Sequence, residues 1–261
     1  MLTTVSGRAL DFTEPRSILN DAWAARVLAS LDYTPPQTAM DRIFYTFVVL
    51  RAKQFDTWTA EFLAANPQGA TVLHLACGLD SRALRIPWQG EGRVTWIDVD
   101  VDEVVDLREK VLPDAEGDYR LVKGDVRLAE WLENVPVDKP TLIIMEGLLM
   151  YLEKAEVETL MGRVCEKFES GVILADVMGK IWLKIQGRNT AIRRTGAVMR
   201  SAVDYGKELE GCHEALKVKD EVRAWQLQGR EAFPWYVRVS LWVYSWIPGL
   251  KTMSSDMRFE F

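Results

Sequence analysis

Thr71–Arg82, TVLHLACGLDSR, reads as a buried strand (Val72, Leu73, Leu75) that runs into a tight turn at Gly78, with Asp80 just beyond. Further along, Val94–Asp100 (VTWIDVD) is a second apolar strand that ends in acid. A third acid, Asp125, follows in VKGDVR, and a fourth, Glu146, stands within TLIIMEGLLMY. Four short apolar runs, each delivering a glycine or a carboxylate at its carboxyl end, describe an open α/β sheet. Such sheets hold their ligand in the crevice outside the strand ends. An acidic rim suits a ligand that presents hydroxyls and amines rather than phosphates, which points to a nucleoside.

Outward from these runs, strands are expected near 71–76, 94–98, 119–122, 141–145 and 172–176, with helices near 101–111, 127–133 and 153–168. The last helix carries Val157, Leu160, Met161, Val164 and Phe168 on one face. The βαβα rhythm predicts a mostly parallel sheet with right-handed crossovers. Residues 1–67 lack strand alternation and read as a helical cap. Pro15 and Asn20 mark starts, Pro35-Pro36 a break, and Asp41–Ala64 a long helix. The cofactor-binding core follows over 68–177. Residues 178–204 then gather Lys180, Lys184, Arg188, Arg193, Arg194 and Arg200 against the single acid Asp204, and read as a lid insertion. Residues 205–261 complete the sheet, with a strand at Leu216–Lys219, a tryptophan-rich helix near 235–247 and a last strand at Met257–Phe261.

The chain has 261 residues, 48% of them hydrophobic, enough for a sizeable core in a single domain. A net charge of −6 argues against a nucleic-acid surface or a basic membrane patch. Cys77, Cys165 and Cys212 form an odd, scattered set without CxxC, so a reducing, cytoplasmic setting is expected. No apolar run approaches the roughly 20 residues of a membrane span, and no His/Cys/Asp cluster has metal-ligand spacing.

The Gly78 turn has neither the GxGxxG spacing of dinucleotide sites nor a phosphate-cradling GxxxxGK[ST]. Asp98 and Asp100, two apart on a strand end, can face one side. An acid there suits ribose hydroxyls, as it also would in an NAD(P)-dependent oxidoreductase. Asp125 reads either as a partner of an adenine amino group or as a helix cap. Glu146, inside an apolar run, needs a partner, which is either a buried salt bridge or a cationic ligand.

LACGLDSRALRI, WIDVDVDEVVDLREKVLP, GDVR and MEGLLMYLEKAEVETLM together resemble the leucine carboxyl methyltransferase family. The likeness is strongest to its microbial branch, the tetracenomycin-type natural-product O-methyltransferases. LRAKQFD (Leu50–Asp56) and DYGKELEGCHEALKVK (Asp204–Lys219) extend it over most of the chain. The resemblance implies a Rossmann-like class I methyltransferase sheet with an antiparallel last strand, using S-adenosylmethionine on a small-molecule acceptor; the helical N-terminus leaves a homodimer open. It places Arg51 or Lys53 on the cofactor carboxylate and Ala76 and Gly78 beneath its methionine part. Asp98 or Asp100 falls on the ribose, Asp125 with Val126 at the adenine, and Glu146 at the amino group or the reaction centre. Ala76 stands where the family pattern has its first glycine, and Asp98 where it has glutamate. A catalytically idle, binding-only relative is the remaining alternative.

Methyl transfer from a sulfonium is an in-line displacement, governed by alignment and exclusion of water. A carboxylate acceptor is already ionised at neutral pH, whereas a phenol benefits from a base. The chain has two histidines. His74 lies inside a strand and reads as core, and His213 is the candidate base. That scarcity favours a carboxyl acceptor. Tyr151 is expected to orient the acceptor, and Trp182 and Tyr205 to contact it.

Overall fold

The computed structural model describes residues 1–88, 93–186 and 198–261. Three helices come first: α1 (Leu2–Thr13), α2 (Ala22–Ser30) and α3 (Ala39–Ala65). Asp21 caps α2 by accepting from the Ala24 N–H at 2.9 Å. A Thr38–Asp41 capping box opens α3, so the long helix starts just beyond the Pro35-Pro36 break. The helical reading of residues 1–67 holds for all three, although nothing in the sequence marks where α1 begins, because Leu2–Thr13 carries neither a side-chain cap nor an acidic first turn.

Beyond the helices come β1 (Ala70–Leu75), α4 (Arg82–Arg85), β2 (Val94–Asp100), α5 (Asp102–Val111) and β3 (Asp118–Lys123). They are followed by α6 (Glu130–Glu133), β4 (Thr141–Met145), α7 (Lys154–Lys167), β5 (Gly171–Met178) and α8 (Ile181–Ile185). The chain closes with β6 (Lys217–Arg223), α9 (Trp235–Tyr244) and β7 (Ser254–Glu260). The expected helix at 127–133 shrinks to α6, because Asp125 and Arg127 fold on each other ahead of it. The seven strands are ordered β3-β2-β1-β4-β5-β7-β6. β1 to β5 are parallel, and β7 inserts antiparallel between β5 and β6. The class I methyltransferase sheet expected from the sequence is thus the observed one.

Strand alternation divides the core. Leu73, Leu75, Ile97, Val99, Ile143 and Met145 pack with Val157, Leu160, Met161 and Val164 of α7 on one face. Val72, Trp96, Leu142, Ile144 and Leu174 pack with Phe55 and Trp58 of α3 on the other. The sheet is buried on both faces, so its strands read as continuous apolar runs. The order reverses between β1 and β4, and the crevice outside their carboxyl ends is where such a sheet takes its ligand. No described helix is long and apolar enough to cross a membrane.

Candidate active site

At the reversal point β1 ends in a left-handed turn. Gly78 has φ +55°, and Ala76 shares the left-handed region at φ +50°. A β-carbon at Gly78 would approach only the Met1 side chain, 3.7 Å away, so the start of α1 lies over the turn. Arg8 fastens α1 there, donating to the Leu79 carbonyl at 3.1 Å and pairing with Asp80 at 2.7 Å. Asp100, at the end of β2, accepts from the Gly78 N–H at 2.7 Å and from the Val101 N–H at 2.8 Å. Burial nevertheless holds its carboxyl above the ordinary range against these two bonds.

Asp98, the other acid of β2, is fully buried. It takes the Arg108 guanidinium at 2.6 Å, the Tyr119 hydroxyl at 2.9 Å and the Trp96 indole N–H at 2.8 Å. Burial alone would raise its pKa; Arg108, His74 and Trp96 outweigh burial and lower it. Asp98 thus ties β2 to α5 and β3, while Asp100 stands at the rim. Arg108 extends that tie to the turn, donating to the carbonyls of Gly78 at 3.0 Å and Asp80 at 2.6 Å.

Across the crevice, Glu146 follows β4 and is held by two arginines, Arg51 of α3 at 3.1 Å and Arg82 of α4 at 2.5 Å. The buried-salt-bridge reading of this residue is therefore present in the structure. Burial works to raise the Glu146 carboxyl, and the two guanidinium groups bring it below its usual value. Arg51 also reaches Asp176 of β5 at 2.6 Å, and Asp176 accepts from the Gly147 N–H at 2.5 Å. Arg82 and Arg85 share Asp56 at 2.7 Å each, and Arg85 meets Asp80 at 2.6 Å. One arginine–carboxylate lattice therefore joins α1, α3, α4 and the ends of β1, β4 and β5.

Among the described residues, the lattice ends in an acid that no cation pairs. Asp256 of β7 lies directly opposite Asp176 in the antiparallel pair. It is buried, and among the described residues its Oδ2 has no hydrogen-bond partner. Burial first, and then the neighbouring Asp176 charge, push its pKa well above the carboxylate range. No signal in the sequence marks Asp256: the expected last strand starts only at Met257, whereas β7 starts at Ser254, and the partner of Asp256, Asp176, is distant along the chain.

The remaining sequence-selected residues fall in different places. Arg51 faces the site, whereas Lys53 is exposed on the far side of α3. The Asp125 carboxylate is occupied by its neighbour Arg127, through the backbone N–H and the guanidinium, and the Val126 side chain is in the core. Tyr151 ends a 3-10 turn (Leu149–Tyr151), exposed and within the electrostatic reach of Arg51 and Asp176. Ser201 and Arg200 bond to the Leu149 and Met150 carbonyls, so residues 199–204 strap this turn. Trp182 on α8 is half-buried, and Tyr205 follows the strap with Arg223 5.1 Å above its ring. Arg188, Arg193 and Arg194 of the expected basic lid lie outside the described residues. His74 is buried in β1 beside Asp98. His213 precedes β6, at the edge of the sheet opposite the crevice, where its Nδ1 accepts from the Ala215 N–H at 3.3 Å.

Residues 2–165 match the family model described as leucine carboxyl methyltransferase. The chain is 35% identical over 221 residues to the tetracenomycin polyketide synthesis O-methyltransferase TcmP of Streptomyces glaucescens, covering 85% of this chain and 80% of that protein. It is 37% identical over 240 residues to the S-adenosyl-L-methionine-dependent methyltransferase dpfgK of Gibberella zeae, with the same coverage of 85% and 80%. Among solved structures, a proposed methyltransferase from Thermobifida fusca superposes with a TM-score of 0.61 at 13% identity, over 98% of this chain and 93% of that one. Magnesium protoporphyrin IX methyltransferase from Synechocystis, solved with S-adenosylhomocysteine, gives a TM-score of 0.52 at 10% identity, covering 92% and 95%. The oxidoreductase and idle-subunit alternatives find no support among these relatives.

Proposed function

This chain belongs to the leucine carboxyl methyltransferase family, and from that premise we propose that it methylates a carboxylate oxygen of a small natural-product acceptor. S-adenosylmethionine-dependent O-methyl transfer is the activity that the relatives support; the carboxylate and the residue roles are our own reading.

The residues at the crevice fit the cofactor. Glu146 and Asp176 both pair with Arg51, Glu146 pairs with Arg82 as well, and among the described residues Asp256 has no ion pair of its own. A buried excess of acid suits a ligand that brings positive charge, here an ammonium and a sulfonium. Arg51 would hold the cofactor carboxylate, the Ala76–Gly78 turn would lie under the methionine chain, and Asp100 would accept from the ribose hydroxyls. Asp98, with Arg108, Tyr119 and Trp96 on it, serves the fold instead. Asp125 and Val126 would meet the adenine through their backbone. Glu146 would neighbour the amino group, and Tyr151 would orient the acceptor from the mouth, with Trp182 and Tyr205 at its edge. Bound there, the cofactor supplies an electrophilic methyl group. The protein aligns the attacking oxygen with the carbon–sulfur bond and keeps water away.

The placement of the two histidines carries the choice of a carboxylate. His74 is locked in the core and His213 sits at the opposite edge of the sheet, so neither is placed to deprotonate a phenol. A carboxylate needs no such step at neutral pH. Pairs of aromatic carboxylic acids and matched phenols, assayed for methyl transfer from labelled S-adenosylmethionine, test the proposal. The acids should be methylated with a kcat/KM that stays flat from pH 6 to 8. Turnover confined to phenols, rising with pH, would overturn it.

A further inference from the structure

Beyond the crevice, the segment between β6 and β7 has a surface that methyl transfer does not use. α9 attaches to the molecule along one seam, where Val237 and Leu241 pack with Phe233, Leu50 and Phe47. A surface helix with such a seam is normally polar on its opposite side. Here Trp235, Val239, Trp242 and Trp246 recur at i, i+4, i+7 and i+11 and form an outward ridge. They are 70%, 51%, 63% and 73% exposed. Tyr236, Val243 and Ile247 widen it. An exposed apolar patch of this extent marks an interaction surface.

The charge around the ridge narrows the occupant. From Ala232 to Ser255 there is no carboxylate, while Arg238 and Lys251 are cationic. Beside the ridge runs a groove of about 510 Å³ lined by Trp225, Arg230, Arg238, Trp242 and Trp246, with no acid in its wall. Tryptophan and tyrosine rings settle where an apolar body and a polar tip are both satisfied, as at the headgroup level of a bilayer. Guanidinium groups match phosphate oxygens in geometry and charge. A second copy paired symmetrically through this ridge would set Arg238 against Arg238, because α9 and the turn after it carry no acid in return. The chain-wide charge of −6 hides this local balance, which is why the sequence reading sets membranes aside.

We propose that α9 and the following turn to Ile247 dock in the plane of an anionic lipid surface, with the tryptophan ridge at the headgroup–acyl boundary and the groove of Arg230 and Arg238 holding a headgroup phosphate. At ten residues α9 is too short to cross a bilayer, so it lies on the surface.

The test is co-sedimentation of the full chain with phosphatidylcholine vesicles, with and without phosphatidylglycerol, followed by tryptophan emission. The wild type should bind the phosphatidylglycerol vesicles with a blue shift and weaken as salt rises. Combined Trp235→Ser, Trp242→Ser and Trp246→Ser, and separately Arg238→Glu, should each cut binding roughly tenfold or more. The replaced tryptophans are exposed, so the thermal midpoint and S-adenosylhomocysteine binding should stay as in wild type. Absence of vesicle binding by the wild type, or binding undiminished in the triple variant, would overturn the proposal. So would a concentration-dependent dimer that the triple variant abolishes without any vesicle binding, since that result assigns the ridge to a second copy.

Discussion

Ala76 concentrates the strain of the turn after β1 in one residue. Its φ of +50° is a conformation that glycine adopts freely and a β-carbon resists. Ala76→Gly should therefore raise stability by about 1 kcal/mol without weakening S-adenosylhomocysteine binding, as read by chemical denaturation and calorimetry. A loss on both counts would show that the methyl group is needed. Asp256 stores a cost of a different kind. Its folded pKa lies above the unfolded value, so the native state retains a proton that the unfolded chain releases. Stability then falls as pH rises from the unfolded carboxylate pKa of about 4 towards the raised value. Asp256→Asn removes that titration, and its thermal midpoint should exceed that of wild type at pH 8 and converge with it towards pH 4. Asp98 runs the other way. Its pKa is lowered by Arg108 and its companions, so its stabilisation is complete above the unfolded pKa and is lost as pH falls through the folded one. The sequence makes Asp98 and Asp100 equivalent, because alternation reports only that they share a side. What separates them is Arg108 and Tyr119 converging on Asp98 from α5 and β3, and that is tertiary information.

Among the elements, α1 depends on the sheet for its place and in turn covers the site. Arg8, buried, bridges it to Asp80, to Asp21 and to the Leu79 carbonyl. Removing one partner of a buried charge cluster costs about 3–5 kcal/mol, because the other charges remain buried and uncompensated. Arg8→Ala should lower stability by that order and also weaken cofactor binding, since Met1 and α1 lie over Gly78. Unchanged affinity in a destabilised Arg8→Ala variant would confine α1 to a structural role. The strands and α7 are legible from apolar runs and helical spacing. α1 is legible as part of a helical stretch but its start is not, because nothing there carries a cap, and the antiparallel position of β7 is implied only by the resemblance. α9 is legible as a tryptophan-rich helix, yet its exposure is not, since apolar residues face most sides of it and only packing reveals which side is left bare.

At the scale of the molecule, the arginine–carboxylate lattice gathers the proposed site residues at one edge. It draws α1, α3 and α4 over the carboxyl ends of β1, β4 and β5, leaves excess acid at Asp176 and Asp256, and keeps Asp100 at the rim. The acids at the strand ends are readable from the sequence alone, whereas their arginine partners are not, because Arg51, Arg82 and Arg85 belong to helices whose docking no local pattern specifies. We propose that this edge binds S-adenosylmethionine, with Asp100 rather than Asp98 on the ribose. Calorimetric titration of S-adenosylhomocysteine into the wild type and Asp100→Asn tests it most directly, with thermal unfolding of both proteins alongside. A bond to a charged acceptor is worth about 1.5–3 kcal/mol, so a stably folded Asp100→Asn should bind about ten- to a hundredfold more weakly than a wild type that saturates at one site. A wild type that gives no binding heat, or a variant that binds as tightly as wild type, would contradict it.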